Sequence, residues 1–300
     1  MELRVLQYFL AVAREQSISA AAKSLHLSQP ALSIQLKELE REVGKQLLLR
    51  GTKGSRKVIL TEEGMLLRKR AEEIMRLVQI TEKELSVCEE AIAGDVYIGV
   101  GESDSIRLFA QAACKLRKKY PDIHYHILSG NAAFVMEQLD RGLIDLGAVY
   151  GPIDTTIYHS IKIPIRDTWG VLMRKDSELS QKEQITPDDL WDKPLLVSAQ
   201  KNGDWEMTKW FHRDIDQLNI VATYNLVFNA SLMVEEGIGY ALCFDKLINV
   251  SGDSNLCFRP LFPKRESEAS VIWKRYQPFS KAAQKFMDAL EECCTALHNE

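Results

Sequence analysis

Three hundred residues exceed what one hydrophobic core usually organises, so two or three domains are expected. An apolar share of 46% and a charged share of 27% suit an ordinary soluble globular chain. No apolar run approaches the roughly 20 residues of a membrane span, and Glu2 and Arg4 interrupt the start where a secretory signal needs its apolar core, which points to the cytoplasm and to no membrane partner. The net charge of −4 is unevenly spread, with +5 on residues 1–60, −3 on 61–90 and −6 on 91–300. A basic first segment on an acidic body is the electrostatic footprint of a small nucleic-acid-binding domain.

Leu3, Leu6, Phe9, Leu10 and Ala13 recur at spacings of three and four, giving a first helix with one apolar face. Ser17 and Ser19 are candidate N-caps for a short second helix in SAAAKSLHL, whose alanines allow close helix approach. Ser28 caps a third helix, and Pro30 falls in its first turn, where a missing N–H costs nothing. Leu32, Leu36, Leu39 and Val43 form its buried stripe and Gly44 supplies the stop. Gln29, Ser33 and Lys37 are left on the opposite face, with Ile34 beside them. A short helix, a tight turn and a longer helix with polar residues at its exposed N-terminal end make a helix-turn-helix. Gln bonds an adenine edge bidentately, Ser reaches a base or a phosphate, and a helix N-terminus favours phosphate. Ser28, Gln29, Pro30, Ser33, Ile34 and Lys37 are therefore candidate DNA contacts.

The run AAAKSLHLSQPALSIQLKELEREVGKQLLLR closely resembles the signature of LysR-type transcriptional regulators, in which an Ala-rich helix precedes SQPALS, a Leu-Glu pair, a Gly and a closing Leu-x-Arg. The next stretch, LLLRGTKGSRKVILTEEG, has a turn at Gly51, Gly54 and Ser55 and a strand at Val58 and Leu60. It resembles the family's β-wing and the LT-x-x-G that opens its linker helix, which implies that Arg50, Lys53, Arg56 and Lys57 contact phosphates or the minor groove. Leu48 stands where the family usually has Phe, and the wing is a few residues longer than the common form.

From Thr61, a candidate N-cap, about thirty residues run without proline. Leu67, Ala71, Ile74, Val78, Thr81, Leu85 and Cys88 form a heptad seam, which must be buried on its own chain or on a second copy. The resemblance implies the second: a homodimer through antiparallel linker helices, and a tetramer of two dimers.

After Gly94 the rhythm is α/β. DVYIGV, IHYHILSG, LIDLGAVY, TWGVLMRK, PLLVSA, NIVATYNLV, IGYALCF and SEASVIWKRY read as strands. DSIRLFAQAACKLRKKYP, NAAFVMEQLDRG, TPDDLW, DWEMTKWFHRDI, ASLMVEEG and a C-terminal segment from Pro278 read as helices. Alternation implies a parallel sheet. The fold class is α/β overall, and the element order is similar to the LysR-type effector domain, which resembles two-lobed periplasmic type 2 binding proteins. The implied organisation is a winged helix-turn-helix at 1–60, a dimerisation linker helix at 61–90 and an effector-binding domain at 91–300. Lobe one is 91–161 plus 268–300 and lobe two 162–267, with crossings near Lys162–Ile163 and Glu266–Ser267.

Ligands of such sheets bind beyond the strand carboxyl ends. The candidates there are Gly101, Glu102, Ser103, Asp104, Ser129, Gly130, Asn131, Ser198, Gln200 and Phe228. Helix N-termini in these loops favour an anion, whereas Glu102 and Asp104 oppose one, so the ligand's charge stays open. No G-x-S-x-G, HExxH or Walker A is present, His124 and His126 share a strand face without a third ligand, and no cofactor is implied. Trp191, Trp205, Trp210 and Phe211 suit either a pocket or packing. The six cysteines form no CxxC; buried thiols are expected, with Cys243 and Cys257 the first pair to consider for a redox switch. The whole pattern describes a regulator, not an enzyme, whose partners are a double-stranded DNA operator, a small-molecule effector, further copies of itself and, as a candidate, RNA polymerase. A transporter's solute-binding protein leaves residues 1–90 unexplained.

Overall fold

The computed structural model describes residues 1–50, 57–86, 92–199, 207–212, 214 and 217–298. The chain forms two compact units, Met1–Ser86 and Val87–Glu300. The expectations for Gly51, Lys53, Gly54, Ser55, Arg56, Cys88, Gln200 and Trp205, and for the Arg50 side chain, lie outside the described residues.

The first unit contains α1 (Leu3–Glu15), α2 (Ile18–Ser24), α3 (Gln29–Val43), β1 (Leu48–Arg50), β2 (Val58–Leu60) and α4 (Glu62–Ser86). Leu6, Phe9 and Ala13 are buried as their spacing requires, but Val5 and Val12 are buried too and Leu3 is exposed. The face is broader than one stripe because α2, α3 and α4 all pack on α1. Of the two candidate caps for α2, Ser17 is the one used: its hydroxyl accepts from Ala20 N–H at 3.3 Å, while Ser19 lies inside the helix. Ser28 caps α3 in the same way through Ala31 N–H. Leu32, Leu36 and Leu39 are fully buried. Val43 is exposed, because the chain turns away directly after it at Gly44, which has φ +69°.

The root of the wing is tied down by side chains that accept or donate to the backbone. Glu40 accepts from Leu47 N–H at 2.8 Å and from Leu48 N–H at 3.0 Å. Thr61 caps α4 by accepting from Gly64 N–H and donates to the Gln46 carbonyl at 2.7 Å. Val58 N–H donates to the Gln16 carbonyl at the end of α1, and β1 pairs antiparallel with β2 from Leu48↔Leu60 to Arg50↔Val58. Leu48, standing where the family usually has Phe, is 1% exposed in this core.

The 25 residues of α4 span about 37 Å. Its heptad seam is only partly covered by its own unit. Ala71 and Met75 are buried, Leu67 packs against the core, and Leu85 is 81% exposed.

The second unit is built on one nine-stranded sheet that serves two lobes. In lobe one β3 (Gly94–Val100), β4 (Ile123–Ser129) and β5 (Leu146–Tyr150) are parallel in the order β4-β3-β5. In lobe two β7 (Leu195–Ser198), β8 (Ile220–Tyr224) and β9 (Tyr240–Phe244) are parallel in the order β9-β7-β8. The sheet is mixed, however, and not parallel throughout. A 17-residue strand, β6 (Tyr158–Arg174), runs antiparallel through both lobes. It pairs with β11 (Glu266–Lys274) as far as Thr168, then with β9 from Trp169 on one edge and β10 (Leu256–Pro260) on the other. The expected crossing at Lys162–Ile163 therefore falls inside an unbroken strand, and the change of partner comes at Thr168–Trp169. The return crossing lies just before Glu266. The second half of β6 is the expected strand TWGVLMRK; Pro164 conceals the first half, since proline donates no ladder bond, and the pairing register shifts between Glu268 and Ser270, opposite it.

In lobe one α5 (Arg107–Arg117) and α8 (Lys281–His298) cover one face, burying Phe109 and Phe286, and α6 (Ala132–Asp140) covers the other. In lobe two α7 (Val227–Glu235) covers one face and Trp210 and Phe211 fill the other, with Trp191 packed against that core, so these three aromatics are packing. Each fully buried large side chain contributes roughly 1.5–3 kcal/mol.

Gly64 marks where α4 touches the wing root: a Cβ there would collide with the Leu47 carbonyl oxygen. Gly64→Ala is expected to destabilise the N-terminal unit by about 1–3 kcal/mol. Faster native-state hydrogen exchange of α1–α3 amides, with the α5 and α8 amides unchanged, is the result that checks it.

Candidate functional site

On α3 the face opposite Leu32, Leu36 and Leu39 carries the sequence candidates. Gln29, Pro30, Ile34 and Lys37 are exposed and Ser33 is half-buried. Ser28 is exposed as well, but its hydroxyl already caps the helix. Gln29 and Pro30 stand in the first turn, so their backbone and the aligned peptide dipoles present positive potential beside them. Lys57, beside β2, is exposed. Gln29, Pro30, Ile34 and Lys37 thus share the solvent-facing side of α3, with Ser33 half-buried among them.

The second unit has a cavity of about 540 Å³ between its lobes. Its lining repeats one geometric motif, the residue at or just past a strand's carboxyl end. Gly101 and Glu102 follow β3, Tyr150 and Gly151 end β5, Ser198 ends β7, Tyr224 and Asn225 end β8, and Phe244 ends β9. The floor is the crossing pair, with Lys162 and Trp169 from β6 and residues 266–268 and Ser270 from β11.

Of the sequence candidates, Gly101, Glu102 and Ser198 line this cavity. Ser129, Gly130 and Asn131 do not, because β4 is the outermost strand of lobe one and its end lies away from the crossing strands; Asn131 instead caps α6 through Phe134 N–H at 2.9 Å. Phe228 also stays outside, 61% exposed on α7. Ser103 is buried against Ser105 at 2.6 Å. Asp104 pairs with Arg107 at 2.9 Å and reaches Lys246 of lobe two at 3.5 Å. Tyr150 and Gly151 also line the cavity, as residues of a strand-end loop, and the aromatic residues missed in the sequence are Trp169, Tyr224 and Phe244. Strand-end position was the available signal for Tyr224 and Phe244; Trp169 required knowing that β6 crosses.

Two carboxylates occupy backbone N–H positions at the starts of α7 and of the turn into α5, the first of them lining the cavity. Glu102 of lobe one accepts from Val227 N–H, the first residue of α7 in lobe two. Asp167 on β6 accepts from Asp104 N–H at 3.1 Å, at the start of the 3-10 turn leading into α5. Asp167 also accepts from the Tyr150 hydroxyl at 2.5 Å, and Ser105 lies 3.3 Å from that hydroxyl. Burial pushes the Asp167 carboxyl above its ordinary value, against the opposing pull of these donors, and burial likewise pushes up the Tyr150 hydroxyl. The Trp169 indole N–H donates to Ser267 at 2.9 Å, joining the two crossing strands.

Residues 3–65 match the bacterial regulatory helix-turn-helix proteins of the lysR family, and residues 89–294 match the LysR substrate binding domain. The chain belongs to the LysR family of DNA-binding transcription regulators. BsdA of Bacillus subtilis (strain 168), an HTH-type transcriptional regulator, is 35% identical over 300 residues, covering 96% of this chain and 99% of its own. A hydrogen peroxide-inducible genes activator of Dickeya chrysanthemi is 29% identical over 198 residues, 66% of this chain and 64% of that one. Full-length CbnR crystallised with its target DNA has the same fold, with a TM-score of 0.74 over 98% of this chain and 100% of that one at 16% identity. The relatives named here are regulators, so this LysR chain is not placed among enzymes. No helix among its described residues is long and apolar enough to cross a membrane.

In this LysR regulator Cys243 and Cys257 cannot pair. Cys243 stands opposite Gly170 on one edge of β6, and Cys257 opposite Met173 on the other. Two strand spacings across and three residues along put them about 14 Å apart, twice the Cα reach of a disulfide. They also pack in different cores, Cys243 near α7 and Cys257 with Trp210 and Phe211. Burial pushes the Cys243 thiol up to about 12, leaving almost no thiolate at neutral pH. A thiol reagent is expected to modify Cys243 at least about a hundredfold more slowly in the native chain than in urea, read by mass spectrometry of its peptide.

The raised Asp167 carboxyl binds its proton more tightly in the folded state than in the unfolded chain. Its contribution to stability is thus full at low pH and is lost as the pH rises through its raised value. Relative to Asp167→Asn, which does not titrate, the wild-type regulatory unit is expected to lose stability as the pH rises above the ordinary aspartate range of about 4. Urea unfolding of both proteins at several pH values checks the sign.

Proposed function

We propose that this LysR regulator reads its operator with α3 and changes its DNA binding when a small molecule occupies the cavity between the lobes. The observation that carries the sensing half is the cavity itself: both lobes line it, and its floor is the pair of strands about which they are joined. A ligand touching both lobes shifts the equilibrium between their arrangements to the extent that it prefers one. Tyr150 joins that cavity to Asp167 on the crossing strand.

The reading half rests on Gln29, Ser33 and Lys37 lying together on the exposed face of α3. Dimerisation through α4 completes the scheme. The exposed Leu77 and Leu85 continue the helix beyond the part buried by α1, and apolar residues of this kind on a helix require a second surface. Two dimers then form a tetramer that presents its recognition helices to successive major grooves, with RNA polymerase as the partner that reads out the assembly. CbnR, whose structure was determined with its target DNA, has this fold.

Selection from a randomised DNA pool tests the reading. A pseudo-palindrome is expected, with half-sites about one helical turn apart or a multiple. Gln29→Ala should flatten the base preference at one position per half-site, at a cost of about 1–3 kcal/mol. Lys37→Ala should weaken binding to all sequences and reduce the slope of log K against log salt by about 0.9 per half-site. If Gln29→Ala selects the same sequence with the same affinity, α3 is not the reading element.

A further inference from the structure

We infer that the interlobe cavity takes a compact organic cation, a protonated amine or quaternary ammonium on an apolar group, with its charge facing Glu102. The inference rests on the reading of this cavity as the effector site and adds the chemical class of the effector.

Four aromatic rings, Tyr150, Trp169, Tyr224 and Phe244, line the cavity. Phe244 packs at 5.0 Å from Tyr150 and at 4.3 Å from Trp169, centroid to centroid. The polar tips of the other three are already spent inside the protein. The Tyr150 hydroxyl donates to Asp167, the Tyr224 hydroxyl to the Leu242 carbonyl and the Trp169 indole to Ser267. What remains for a ligand is ring surface, whose quadrupole attracts positive charge.

The charges point the same way. Among the described residues three carboxylates line the cavity, Glu102, Glu266 and Glu268, against one ammonium, Lys162. Lys162 lies 3.3 Å from Glu268, and Glu266 is paired with Lys264 and Arg166. Glu102 has no cationic partner among the described residues; it accepts the Val227 N–H and keeps further lone pairs for a second donor. Among the described residues, two backbone positions at these strand ends that would suit an anion are already filled. The N-terminus of α7 already holds Glu102, and the turn that opens α5 already holds Asp167. The charge conflict that the sequence leaves open is thus resolved by geometry: the protein's own carboxylates fill the anion positions and give the cavity a negative wall.

The experiment titrates the full-length protein with three probes of matched shape, benzyltrimethylammonium, benzyl alcohol and phenylacetate, by isothermal titration calorimetry. The cation is expected to bind at least about tenfold more tightly than either of the others. Glu102→Gln, which keeps an acceptor for Val227 N–H and removes the charge, should abolish that preference, with an unchanged thermal transition showing that the variant is folded. Ser198→Trp, filling the cavity, should abolish binding of the cation. Phenylacetate binding as tightly as the cation, no saturation by the cation up to about 10 mM, or an unaltered preference in Glu102→Gln overturns the inference. The two readings fail separately. Binding of phenylacetate that Ser198→Trp abolishes leaves the cavity as the site and removes the cation, whereas binding of any probe that survives Ser198→Trp removes the cavity itself.

Discussion

The regulatory unit depends on a single strand being shared. β6 exchanges the ladder of β11 for those of β9 and β10 within one residue, at Thr168–Trp169, so the lobes are joined by continuous backbone and not by a loose linker. Antiparallel pairing along a strand resists extension but tolerates twist and bending, most easily where the partner changes. The groups that meet at this point follow from that constraint. Asp167 and Trp169 flank the change of partner, and both bond to residues of lobe-one elements or of β11. The cavity opens on the same strands, so its lining includes the point where β6 changes partner.

Carboxylates acting as internal helix and turn caps recur throughout the chain. Glu40 holds the wing root, Asp167 the start of α5, and Glu102 the start of α7. In each case an acid from one element satisfies N–H groups of another that have no partner within their own element. The first of these fixes the start of β1 to α3, and the last ties the lobes together. Placing acids where a binding protein for anions would leave bare N–H groups changes what the site can recognise, and this gives the aromatic walls their significance.

Much of the N-terminal unit is legible residue by residue because its signals are local. Ser17, Ser28 and Thr61 cap the helices that their positions in the sequence indicate, and Gly44 ends α3 with the positive φ expected of it. Helix caps and 3.6-residue stripes need only neighbours within a turn or two. The same reasoning falters at Leu3 and Val43, where exposure depends on how other helices cover the ends of a stripe. In the regulatory unit the order of strands and helices is readable, yet the first half of β6 and the whole of β10 escape notice. One is masked by Pro164, and the other is a five-residue strand without a flanking helix.

The sequence by itself determined the family, a third helix with Gln29, Ser33 and Lys37 on one face, and the two-lobed class of the regulatory unit, because these rest on short-range periodicity and a dense motif. Only the tertiary structure decided which loops share the cavity. Ser129 to Asn131 and the end of β3 look alike in sequence, each a strand end feeding a helix, but strand order puts β4 at the sheet edge and β3 nearer its middle. Tertiary structure also separated Cys243 from Cys257 and brought Glu102 onto a helix 125 residues away. Contacts of that range are set by which strands become neighbours, and no local pattern of residues encodes that adjacency.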